Sequence, residues 1–164
     1  MVIDASARRN YKKSIKKGYD FRKIDYNDHL DEIWEIRKSA DVRQGKVDPR
    51  FLEKRPKECR NPKSKSNMHD YPYYGVFSPS GKLVAYAGCF ICGEIAMIEH
   101  IYGHKEYEKD RVVPRLIIDI GNDLYRSYPN SFNYAYGTYF GAKPEMRRFK
   151  KKFNFLPHFI SWKL

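Results

Sequence analysis

A chain of 164 residues that is 41% hydrophobic and 16% aromatic is long enough to bury one core and too apolar to stay disordered. Its longest apolar run, Leu83 to Cys92, is interrupted by Tyr86 and Gly88 and falls short of the roughly 18 residues that span a bilayer. The N-terminal residues lack the apolar stretch of a secretory signal, and three widely placed cysteines suit a reducing compartment, so a cytoplasmic protein without a membrane partner is expected.

The net charge of +12 is unevenly spread. Residues 8–17 carry Arg8, Arg9, Lys12, Lys13, Lys16 and Lys17; residues 54–65 carry Lys54, Arg55, Lys57, Arg60, Lys63 and Lys65; residues 143–152 carry Lys143, Arg147, Arg148, Lys150, Lys151 and Lys152. The rest of the chain is close to neutral. Such clustering is the footprint of phosphate binding, and a nucleic acid, DNA or tRNA, is the expected partner. Arg8, Arg9, Lys12, Lys13, Lys16, Lys17, Arg147, Arg148 and Lys151 are the expected contacts. A solvated face that serves solubility is the alternative.

Residues 1–18 read as a basic arm and 19–164 as one domain. The arm's cation pairs repeat every four residues, so a helix carries them along one side, and their repulsion predicts that it forms only against a polyanion. Tyr19 to Ile24 predicts a strand. Asn27 or Asp28 caps a helix with Leu30, Ile33, Trp34 and Arg37 on one face, ending before Gly45. Asp48-Pro49 opens a short helix that Arg55-Pro56 ends, and 57–70 is an exposed loop. Tyr73 to Phe77 and Lys82 to Cys92 form a hairpin around Ser78-Pro79-Ser80-Gly81. A strand over Glu94 to Tyr102 follows. Asp110 then caps the clearest amphipathic helix, with Val113, Leu116, Ile117, Ile120 and Leu124 inward and Pro114 in its first turn. Asn133 to Phe140 predicts an aromatic strand. Pro144 opens a last helix with Met146, Phe149 and Phe153 inward, and Leu156 to Leu164 a last strand.

From Tyr19 onward this order resembles the GNAT acyltransferase superfamily. Phe149-Lys150-Lys151-Lys152-Phe153-Asn154-Phe155 looks like its closing tyrosine-x-x-x-glycine-phenylalanine element, and the hairpin at Ser78 to Gly81 like its centre. The resemblance implies an α/β fold with a mixed, mostly antiparallel sheet flanked by helices. It also implies an acyl or aminoacyl transferase whose donor is acyl-coenzyme A or aminoacyl-tRNA. Mom-type DNA modification and tRNA-dependent transfer both suit the charge. A non-catalytic nucleic-acid-binding module on the same fold, or an N-acetyltransferase for small amines or protein lysines, are the alternatives. The chain departs from the family at two places. The family's glycine-rich donor loop is replaced by 104–115, which holds no glycine, leaving Lys109, Arg111 and Arg115 to meet the donor. The family's tyrosine acid in the last helix is replaced by Phe149 or Lys150.

In strand 94–102, alternation puts Ile95, Met97, Glu99 and Ile101 on one face and Ile98, His100 and Tyr102 on the other. A carboxylate among aliphatic neighbours is desolvated, which raises its pKa towards that of a general base. The resemblance gives a glutamate on this strand the acceptor's proton, so Glu99 is the first candidate base and His100 the second. An ion-paired Glu99 and a core His100 are the alternatives. Among Tyr102, Tyr134, Tyr136 and Tyr139, one protonates the leaving group, Tyr139 being chosen, or stacks on a base, unless each is a residue of the core or its rim. Ser39, Arg43 and Gln44 border the acceptor site, unless they merely end a helix. Cys89-x-x-Cys92 with His100-x-x-x-His104 has zinc-like residues, but an extended chain points the two cysteines to opposite faces, and no metal is expected.

Overall fold

The computed structural model describes residues 3–40, 52–61, 65–131, 133–137 and 139–158. The Asp48-Pro49 helix start, Arg43, Gln44 and residues 159–164 lie outside the described residues.

Helix α1, Ala5–Lys16, precedes strand β1, Asp20–Ile24. A 3-10 turn at Asn27–His29 leads into α2, Leu30–Lys38. Strands β2 (His69–Asp70), β3 (Tyr73–Phe77), β4 (Leu83–Cys92) and β5 (Ile95–Gly103) follow, then a 3-10 helix at Lys105–Asp110 and α3, Val112–Ser127. Strand β6, Asn133–Tyr136, and α4, Pro144–Lys152, complete the described elements. The sheet runs β1-β3-β4-β5-β6, with β2 beside β4. All its pairs are antiparallel except β5 with β6. This is the mixed, mostly antiparallel sheet that the resemblance implies. No helix among the described residues is long and apolar enough to cross a membrane.

The β3–β4 hairpin closes through Gly81, whose amide donates to the Ser78 carbonyl at 2.8 Å and whose φ of 83° only glycine adopts easily. Strand β4 is buried on both faces from Leu83 to Cys89, which explains its unbroken apolar run. On one face α1, α3 and α4 cover a core of Tyr74, Val76, Ala87, Ile98, Leu116, Ile117, Ile120 and Phe153. On the other, α2 lays Ile33 and Ile36 against Tyr26, Phe77, Leu83 and Tyr86.

Helix α1 corrects the expectation of a helix that waits for a polyanion. The Asp4 carboxylate caps it by accepting from the Ala7 amide at 2.8 Å. Ala7 and Ser14 are buried, and the Tyr11 hydroxyl donates to Asp119 Oδ1 on α3 at 2.7 Å. Lys13 donates to the Lys109 carbonyl at 2.9 Å, and Lys17 pairs with Asp110. The body itself therefore holds α1, while Arg8, Arg9, Lys12, Lys13, Lys16 and Lys17 stay exposed.

Two further expectations change. Asp110 does not cap α3: its carboxylate accepts from Tyr19 Oη at 2.6 Å, and Arg111, with a left-handed φ of 64°, precedes the helix. The aromatic strand ends at Tyr136 rather than Phe140, and 156–158 are not strand.

Candidate active site

One extra residue shapes the middle of the sheet. Gly88 pairs with His100 and Cys89 with Ile98, so Glu99 is inserted as a bulge in β5. The bulge resets the alternation. Ile98 joins the α3-side core and Ile101 packs against the same cluster, while His100 contacts Tyr73, Tyr86 and Tyr102 towards α2. The expected grouping of Ile98 with His100, and of Ile101 with Glu99, is corrected by that one residue.

The bulge coincides with the parting of two strands. β5 pairs with β6 only over Ile95–Ile98 and Asn133–Tyr136. Beyond Ile98, β5 continues beside β4 to Gly103, whereas β6 has ended. The β5–β6 pairing thus ends one residue before Glu99.

On the α2 side of the sheet at this point lies a packed aromatic group. The His100 ring is 5.7 Å from those of Tyr73 and Tyr86 and 6.0 Å from that of Tyr102. Arg37 of α2 donates from Nε to Tyr86 Oη at 2.8 Å and from Nη2 to Tyr26 Oη at 3.0 Å. Burial, and secondarily Arg37, pull His100 down to about 4, so its imidazole is neutral at neutral pH. Its Nε2 is buried without a hydrogen-bond partner among the described residues. Burial pushes Tyr73 and Tyr86 up, so both phenols keep their protons.

Glu99 is not desolvated. Its side chain is 61% exposed against 22% for His100, and its Oε2 lies 3.7 Å from His100 Nδ1. The aliphatic surroundings expected from alternation vanish because the bulge places Glu99 outside both cores. The carboxylate faces water and reaches back to the imidazole, an arrangement suited to moving a proton between a solvated amine and solvent.

The start of α3 differs from a glycine-lined phosphate cradle. The 3-10 helix fills 105–110, α3 has no side-chain cap, and Pro114 in its first turn offers no N–H. A Cβ on Gly103 would meet Val113 Cγ2 at 2.6 Å, so the helix start presses on β5. Lys109 and Arg111 are exposed here. Arg115 is not available as expected. Its side chain is 12% exposed and pairs with Asp119, and its guanidinium lies 5.5 Å from the Tyr11 ring centre, which makes it a joint between α1 and α3.

Other candidates are also placed elsewhere than expected. The Ser39 hydroxyl donates to the Ile36 carbonyl at 2.7 Å and accepts from the Lys105 amide at 3.0 Å, fastening the end of α2 to the 3-10 helix. Tyr139 lines a cleft of about 250 Å³ with Pro144, Arg147, Arg148 and Lys151 rather than joining the His100 group. Tyr134 donates to the Ile117 carbonyl at 3.1 Å, and it and Tyr136 pack edge-on against Phe155, as core residues do. Cys89 is buried and Cys92 exposed. Sequence reasoning missed Tyr73, Tyr86 and Gly88 as parts of the site; a glycine inside an otherwise apolar strand was the available sign of a close approach.

The three basic segments divide two to one. The Asp4 amide donates to the Lys152 carbonyl at 3.0 Å, so α1 and α4 meet end to end on the α3 side of the sheet. Arg55, Lys57 and Arg60 instead share a hollow of about 700 Å³ on the α2 side with Asp28, Asp31 and Glu32, and Arg55 pairs with Asp31. That segment is locally balanced by acids.

No family model matches the sequence, and no curated protein aligns with it. The fold nevertheless matches solved structures. Glucosamine-6-phosphate N-acetyltransferase from Arabidopsis thaliana shares 16% identity at a TM-score of 0.56, over 89% of this chain and 97% of that one. Aminoglycoside 6'-N-acetyltransferase AAC(6')-Ih from Acinetobacter baumannii shares 10% identity at a TM-score of 0.56, over 90% and 98%. The L-PGS of Bacillus licheniformis shares 15% identity at a TM-score of 0.50, over 85% and 42%. The C-terminal domain of a protein described as a putative lysylphosphatidylglycerol synthetase, from Agrobacterium fabrum, shares 14% identity at a TM-score of 0.50, over 75% of this chain and 38% of that one. The chain therefore corresponds to nearly the whole of the acetyltransferases and to about two fifths of the synthetase chains. It has the GNAT fold.

Proposed function

We propose that this chain is a GNAT-type acyltransferase that moves an acyl or aminoacyl group from an activated carrier to an amine, with a nucleic acid as acceptor or as carrier. One observation carries the reading: β5 and β6 part where β5 bulges, with Glu99 and His100 at that point. A donor's acyl arm would enter the sheet where that pairing ends, and the exposed Glu99 carboxylate would receive the proton that the attacking amine must lose. Neutral His100 and the phenols of Tyr73 and Tyr86 form the wall beside it and exclude water. Arg37 fixes that wall through Tyr26 and Tyr86.

One structural neighbour, AAC(6')-Iy, holds a bisubstrate analogue built on coenzyme A. Such a donor would enter where β5 and β6 part, and Lys109 and Arg111 at the start of α3 would hold its diphosphate in place of glycine amides. When bound, coenzyme A supplies the acyl group as an activated thioester. The aminoacyl form of the reaction is supported by the likeness to lysylphosphatidylglycerol synthetases, and a tRNA donor would lie on the cations of α1 and α4.

Melting of the full chain with acetyl-coenzyme A, duplex DNA and tRNA, separately and together, tests the proposal. A rise with acetyl-coenzyme A or tRNA as donor, and a salt-sensitive rise with a nucleic acid, is expected. No rise with any of them would remove both halves of the reading.

A further inference from the structure

Helix α4 carries three of its cations on one outward stripe. Pro144, Arg147, Arg148 and Lys151 stand at i, i+3, i+4 and i+7, so they share a face, and with Tyr139 they line the cleft of about 250 Å³. The opposite side packs inward. The Phe149 and Phe153 rings lie 5.0 Å apart, and Lys150, 5% exposed, donates to the Tyr136 carbonyl at 2.7 Å. Like charges three and four residues apart weaken a helix, and little offsets them here. Glu145 pairs with Arg148 at 3.3 Å, while neither Arg147 nor Lys151 has an ion-pair partner among the described residues. A turn fixes Tyr139 beside the stripe: the Ala142 amide donates to the Tyr139 carbonyl at 3.2 Å, and Arg147 Nε donates to the Ala142 carbonyl at 2.8 Å. Phe140, 63% exposed, sets its ring edge-on to that of Tyr139 at 5.9 Å.

We propose, resting on the nucleic-acid part of the reading above, that this cleft takes an unpaired nucleotide of a single-stranded segment. Its phosphate lies on Arg147, Arg148 and Lys151, and its base lies against the Tyr139 ring. Two guanidinium forks and an ammonium around one cleft suit phosphate and carboxylate alike. The aromatic side chain beside them decides between the two. A base offers its flat face to a ring only when it has left its own stack, and rings set among cations are how proteins hold single strands. The size agrees. A cleft of about 250 Å³ is smaller than the roughly 300–1,000 Å³ of sites that enclose a whole small molecule, so it suits one link of a chain that continues beyond it. The cations of the α2-side hollow, by contrast, share it with Asp28, Asp31 and Glu32 and leave no such surplus of charge.

Fluorescence anisotropy of the full chain with three labelled oligonucleotides tests this: a single strand, a duplex with the same number of phosphates, and a strand whose bases are all replaced by abasic sugars. The intact strand is expected to bind about 10-fold more tightly than the abasic one with the same salt dependence, because the phosphates are equal and only stacking differs. Tyr139→Leu abolishes that difference and leaves duplex binding unchanged, whereas Tyr139→Phe, which keeps the ring, retains it. The comparison of strands needs only the wild type, so it stands should Tyr139→Leu fail to fold. Equal binding of intact and abasic strands, or a loss in Tyr139→Leu that strikes strand and duplex alike, would overturn the base site and leave the phosphate contacts. A polyglutamate peptide of equal charge that displaces the strand as well as unlabelled strand does would overturn it in favour of an acidic peptide. Binding of none of the three oligonucleotides would remove the nucleic-acid reading and this site together.

Discussion

The His100 ring lies directly against Gly88 of the neighbouring strand, with Nε2 2.7 Å from the place a Cβ on Gly88 would occupy. The same Cβ would stand 2.9 Å from Tyr73 Cε1. The glycine is thus the condition for an imidazole packed between three tyrosines. Gly88→Ala is expected to force His100 and Tyr73 apart at a cost of about 1–3 kcal/mol and to reduce acyl transfer. Denaturant melts and transfer rates check it, and an unchanged pair would mean that the ring has another place to go.

Glu99 separates chemistry from folding. Its exposed side chain packs into neither core, so Glu99→Gln should change stability by no more than about 0.5 kcal/mol. Transfer should drop about 100-fold or more, as when a general base is removed. Equal transfer by the variant would mean that Glu99 is not the base, and transfer by neither protein would point to the non-catalytic alternative.

His100 links stability to pH. Its folded value of about 4 lies below the unfolded value near 6.5, so between those values the unfolded chain binds the additional proton. Stability is complete above about 6.5 and declines as the pH falls towards 4, by on the order of 3 kcal/mol. His100→Gln, which does not titrate, should flatten the melting temperature over that window relative to wild type. Parallel curves would count against a buried neutral imidazole.

The α1–α3 contact gives two opposite expectations. Tyr11→Phe removes a donor to the Asp119 carboxylate and should cost about 1.5–3 kcal/mol. Ser14 is fully buried and its hydroxyl has no partner among the described residues, so Ser14→Ala should be neutral or stabilising by up to about 1 kcal/mol. Chemical denaturation of both variants checks whether α1 is part of the folded body.

Much of this architecture was legible in the chain. The spacing of Leu116, Ile117, Ile120 and Leu124 is that of a helix buried on one side, and Ser78 to Gly81 closes the hairpin as its residue types require. The bulge was not legible, because one inserted residue leaves the composition of β5 unchanged yet exchanges the faces that follow it. The expected burial of Glu99 failed for that reason. The four-residue repeat of cations in α1 runs beside a second stripe, Ala7, Tyr11 and Ser14, which marks the face that docks. Lys150 looked like its cationic neighbours, and only the end of β6 gives it a different environment.

The proposed nucleic-acid partner would lie on the cations of α1 and α4. Reversing charges on α1 (Lys12→Glu with Lys16→Glu) or on α4 (Arg148→Glu with Lys151→Glu) should weaken binding of tRNA or duplex DNA about 10-fold or more and flatten its salt dependence. Reversal at Lys57 and Arg60, which share their hollow with acids, should do neither. Equal losses from all three segments would indicate nonspecific attraction to a basic protein.

The most direct measurement is transfer of a labelled acyl group by the full chain, from acetyl-coenzyme A to tRNA or duplex DNA, or from aminoacyl-tRNA to an amine. Wild type and Glu99→Gln are compared at equal binding of the nucleic acid. The account predicts label in the product with wild type and its near-complete loss in the variant. Label transferred equally by both, or by neither with any donor, would contradict it.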